Sequence, residues 1–186
     1  FERVKAREKL SQTEKQLSGI LYERGVDNVG FGIIRSKGDQ ALFKLTTVQL
    51  KKKMGVPDNR PVADFLPTIS IKAKDLAAEM TGLNVQSKDL KGQSRIESEH
   101  IANNTAVRNM LTQRGIIPEN LPPADDVKKV QRKLDSDDKK VLKDYDTQKV
   151  EDNSPWRYTT YTHLANAYVL NKEIINANNY AFQALI

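Results

Sequence analysis

The sequence contains no cysteine, which excludes disulfides, a thiol nucleophile and every cysteine-ligated metal centre. Histidine is almost as scarce. Only His100 and His163 occur, far apart in the chain, whereas zinc usually takes three or four ligands. Glu97 and Glu99 precede His100 at spacings that read as a helical surface pair, and His163 reads as a packing residue among aromatics. Aromatic residues make up 6% of the chain. Strands draw on aromatic and β-branched side chains, so this shortage points to helices. No run approaches the ~20 apolar residues of a membrane span, so no membrane partner is expected. The opening FERVKAREKL is charged throughout. It lacks the apolar core of a secretory signal and reads as a fragment boundary, compatible with a cytoplasmic protein.

The motifs of several enzyme classes are missing too. Gly25, Gly30 and Gly32 form no GxxxxGKS/T loop and no strand-borne dinucleotide fingerprint, and no serine sits in a GxSxG elbow. Adjacent acids on a helix, Asp125 with Asp126 and Asp137 with Asp138, point apart; capping explains them better than paired-carboxylate catalysis. The expectation is a protein without cofactor, metal or catalytic centre.

Charge is what the chain does have. The 186 residues hold 30 Lys and Arg against 24 Asp and Glu, a net charge of +6. Residues 1–53 hold 12 of those cations against 6 acids, while residues 151–186 hold 2 against 3. A polyanion would therefore dock at the front of the chain. Lys51, Lys52 and Lys53 fill most of a helical turn, with Arg35, Lys37 and Lys44 before them and Arg60 just after. Such side chains neutralise phosphates without reading bases. The competing reading is local: lysines closing a helix complement its negative end.

Apolar spacing and breakers predict an all-α fold, an irregular helical domain followed by a C-terminal helical hairpin. A first helix over 3–24 carries Leu10, Leu17 and Leu21 on one face and stops at Gly25. The glycine-rich stretch around Gly30 and Gly32 reads as a close-packed turn, with Asp39 capping a helix through Leu45. Thr46 or Thr47 caps the next helix, 48–54, which ends at Gly55. A short helix over 67–81, stopped by Gly82, turns Ile71, Leu76, Ala77 and Met80 inward. A long one over 93–114 places Ile96, Ile101, Val107, Met110 and Leu111 inside and ends at Gly115. After three prolines, Asp125 and Asp126 open a further helix to about residue 144, with a weak point at DSDD. Residues 145–155 are polar and read as a linker. In 156–186, Tyr161, Leu164, Ala165, Tyr168, Ala177 and Ala184 fall at the spacing of a tetratricopeptide hairpin, from which Ala181 departs. A lone repeat cannot bury its own face, so this piece should pack on the main domain or on another chain.

Four blocks in one order carry a resemblance: ERGVDNVGFGIIRSKGDQALF, KKKMGVPDNRPVADFLPT, SIKAKDLAAEMT and RGIIPENLPP. Residues 1–143 resemble the C-terminal half of the DNA-damage-inducible protein D family. The resemblance implies a bacterial, intracellular, non-enzymatic protein of the SOS response that acts on RecA-type recombinase filaments or on the DNA they coat. The family's N-terminal region, similar to phage antirepressors, has no counterpart here. Three readings follow: a recombinase modulator working through Arg35, Lys37, Lys44, Lys51, Lys52, Lys53 and Arg60; a sequence-independent DNA binder; and a scaffold whose tail holds a partner.

Overall fold

The computed structural model describes residues 1–151, and among these it contains six α-helices and no strand. They are α1 (Glu2–Glu23), α2 (Asn28–Phe43), α3 (Thr47–Met54), α4 (Thr68–Ser87), α5 (Gln93–Gln113) and α6 (Val127–Glu151). One compact unit spans Phe1–Leu134 and a second begins at Asp135. The 156–186 hairpin and His163 lie outside the described residues.

Within the first unit four helices close on one another. α4 packs against α1 and α5, while α2 packs against α5 and touches α1. Sequence dictates this through the faces it leaves apolar. Leu10, Leu17 and Leu21 on α1 are all buried, as their spacing predicts. Side chains of this kind each contribute ~1.5–3 kcal/mol when fully buried.

The core has two apolar halves. Leu10, Leu42, Phe43, Leu50, Leu66, Ile71 and Val107 belong to one, closed over by α3. Leu17, Leu21, Ile34, Val85 and Ile96 belong to the other. Along the helices a buried polar layer interrupts them: Thr13, Asp39, Lys74, Thr81, His100, Asn103 and Asn104.

Helix ends follow local chemistry. The Thr46 side chain accepts the Gln49 N–H while the Gln49 side-chain oxygen accepts the Thr46 N–H, and Gly55 closes α3 at φ 65°. That capping box satisfies amides that a helix start leaves bare. Gly25 and Gly115 likewise take positive φ after α1 and α5. Arg24, the residue after α1, reaches the next hairpin: its guanidinium donates to Asp89 at 2.9 Å and to the Leu90 carbonyl at 3.1 Å. Its own carbonyl accepts the Gly92 N–H at 3.1 Å.

Several expectations change. The stretch around Gly30 and Gly32 is helical, and the cap is Asp27, whose carboxylate accepts the Gly30 N–H at 2.7 Å. Asp39 consequently lies inside α2, not at its start. Gly82 does not stop α4, which continues to Ser87; the glycine is buried where a Cβ would touch Ile20 of α1. Leu76 and Met110 turn out to be well exposed. The last helix begins two residues later than expected, passes through DSDD unbroken and continues to Glu151.

Candidate polyanion-binding surface

The seven cations singled out in the sequence meet different fates. Arg60 is taken up by the interior. It bonds Asp64 at 2.8 Å and Asp126 at 2.7 Å, while Arg7 holds the other Asp64 oxygen at 2.9 Å. Asp64 is almost fully buried, so this network fastens α1, the 3₁₀ turn Val62–Asp64 and the start of α6. Burial opposes ionisation of Asp126, but the Lys128 N–H and Arg60 outweigh it and keep the carboxyl below its ordinary range. Arg35 pairs with Glu14 at 3.1 Å and Lys37 with Glu97 at 2.5 Å. These three cations are compensated.

The other four are not. Lys51 donates to the Asp58 carbonyl at 2.8 Å and Lys53 to the Asn120 amide oxygen at 3.1 Å. Neither partner carries a charge. Lys52 and Lys44 are exposed, Lys44 at φ 55° in the corner between α2 and α3. No carboxylate of the described residues lies within 4.0 Å of any of the four. Because α3 is capped, short and anchored by buried Leu50 and Met54, its three lysines stand on a fixed base.

Two concavities flank α3. Near its start a cleft of about 300 Å³ brings Arg35 and Lys51 together with Ser36, Thr47, Asp39 and Lys74. Lys74 escaped sequence reasoning, although its place between Ile71 and Ala78 on the apolar stripe of α4 marks a charge that must find a partner. Its ammonium is paired with Asp39 of α2, both nearly buried, and Thr47 also reaches that carboxylate at 3.5 Å. Beyond the end of α3 lies a groove of about 530 Å³, with Met54, Phe65 and Val130 on its walls and Lys129 and Lys133 of α6 beside them. These lysines sit four apart in KKVQRK, a helical spacing legible in the sequence but passed over.

His100 is not a surface residue. Its Nδ1 lies 2.9 Å from the Thr81 hydroxyl and its Nε2 3.3 Å from the Asn104 amide. Burial first, and the charge of Lys74 second, push its pKa down to about 4. At neutral pH it is therefore an uncharged core group. Its carboxylate neighbours are engaged elsewhere, Glu97 by Lys37 and Glu99 by Lys88. Among the described residues no group of three His, Asp or Glu side chains could hold a metal, and no helix is long and apolar enough to cross a membrane.

Comparison with known families settles the kinship. Residues 1–130 match the DinD C-terminal domain. The chain belongs to that family. The match ends just inside α6, somewhat short of residue 143, and membership ties the chain to the DNA-damage response. Comparison with curated proteins finds no match.

Proposed function

We propose that this DinD-family chain acts in the bacterial cytoplasm as a non-enzymatic modulator of a RecA-type recombinase, touching the filament or its DNA through the lysines of α3. One observation carries the reading. Lys51 and Lys52 have no carboxylate partner among the described residues and Lys53 has only the longer-range field of Glu119, while Arg35, Lys37 and Arg60 are each held in an ion pair. Desolvating a free ammonium against phosphate or carboxylate releases counterions or forms new pairs, whereas a compensated cation must first break a pair. The working surface is therefore Lys44 with Lys51, Lys52 and Lys53; Arg60 serves the fold.

Lysines in the last turn also complement the helix dipole, and that role predicts a different result. Charge reversal of all three lysines should abolish inhibition of strand exchange and co-sedimentation with recombinase filaments, with the circular-dichroism spectrum unchanged. Unchanged inhibition by the triple variant removes this surface. Direct DNA binding is the second reading, favoured by the same free ammonium groups. It predicts gel shifts with single- or double-stranded DNA that weaken steeply as salt rises; no shift at low salt rules it out.

A further inference from the structure

The groove beyond the end of α3 has a different chemistry from the lysine row. Its walls include Met54, Phe65, Pro123 and Val130, and its volume of about 530 Å³ lies within the ~300–1,000 Å³ range of small-ligand pockets. Lys129 and Lys133 stand along one side. They are one helical turn apart and exposed, and no carboxylate of the described residues lies within 4.0 Å of either. The groove is also held in place. The Ala124 N–H donates to the Phe65 carbonyl at 2.8 Å, and Arg60 ties Asp126 to Asp64 beneath.

We propose that this groove docks a short acidic segment of a protein partner, one that carries a large apolar side chain between carboxylates. The apolar walls would cover that side chain, and Lys129 and Lys133 would pair with its acidic neighbours. Charge complementarity selects the occupant. Asp126 adds little repulsion because Arg60 bonds it and the Lys129 charge acts on it as well, leaving exposed Asp125 as the opposing charge in the lining. A sugar–phosphate backbone fits less well: it supplies charge for the lysines but nothing for Met54, Phe65 and Val130. The groove shares no charged residue with the α3 lysine surface, and its occupant is a peptide.

The test uses the full chain and a fluorescein-labelled peptide with a Leu-Phe pair between two glutamates on each side, followed by anisotropy. Saturable binding is expected. It should weaken at least tenfold in the double variant Lys129→Glu/Lys133→Glu, whose substitutions lie on the exposed face and should leave the circular-dichroism spectrum unchanged. A peptide with Ala-Ala in place of Leu-Phe should also bind at least tenfold more weakly. The variant Lys51→Glu/Lys52→Glu, which damages the α3 surface, should bind the peptide normally. Absence of saturable binding, equal affinity for the two peptides, or full retention in the Lys129/Lys133 variant overturns the proposal. So does displacement of the peptide by a thymidine oligonucleotide, which would make the groove a nucleic-acid surface.

Discussion

Lys74 and Lys52 are the same residue type on neighbouring helices, and the fold uses them in opposite ways. Lys74 is 7% exposed, pairs with Asp39 of α2 and belongs to the same buried polar layer as Thr81, His100, Asn103 and Asn104. Lys52 is exposed with no charged partner among the described residues. A buried ion pair repays its desolvation only when both members are present, so Lys74 is committed to stability. Lys52 contributes little to it and is free for contact. A positive charge in this sequence acquires its meaning from what the opposite helix places across from it.

The contrast is most sharply broken at the buried pair. Lys74→Ala or Asp39→Ala should each cost about 3–5 kcal/mol by urea denaturation, because either leaves a stranded charge. The double variant Asp39→Ala/Lys74→Ala should lose far less than the sum of the two singles; additive losses would show that the pair is not coupled.

His100, in the same buried layer, makes stability depend on pH. Its ring titrates near 6.5 when unfolded and at about 4 when folded, so between these values the unfolded state binds more protons. Stability is then fully present above pH 6.5 and declines as pH falls toward 4, by about 3 kcal/mol in all. Urea midpoints across this range should show the decline, and His100→Asn should flatten the limb above pH 5, where carboxylates contribute little.

Next in size is Gly38→Ala. A Cβ there would collide with the His100 ring and press on the Asn104 amide; overpacking of this kind costs about 1–3 kcal/mol, read as a lowered thermal midpoint. At the other extreme, Lys52→Ala should change stability by less than ~0.5 kcal/mol while weakening filament contact.

The helical class and most helix ends were readable because their causes are local. Thr46 with Gln49, the positive-φ glycines Gly25, Gly55 and Gly115, and the leucine face of α1 all act within a few residues of chain. Gly38 and Gly82 are different. Nothing nearby distinguishes them from breakers, yet each lies inside a helix where a second helix passes close by. His100 misled for a similar reason: Glu97 and Glu99 suggest a wet face, whereas Thr81, nineteen positions earlier, claims the ring. In the candidate surface the lysine row was legible. The removal of Arg35 and Lys37 from it was not, because Glu14 and Glu97 are remote in sequence; for Arg60 only half the cause is remote, since Asp64 lies four residues on while Asp126 is distant.

The clasp made by Arg24 has a consequence for how the domain would come apart. It joins the turn between the first two helices to the turn between α4 and α5, so the two hairpins share one fastened end. A protease nick within 25–27 would sever the chain without releasing either piece, since the guanidinium and the surrounding core still hold the fragments together. Limited digestion should therefore show two bands on a denaturing gel and a single species by gel filtration, until Arg24→Ala loosens the tie.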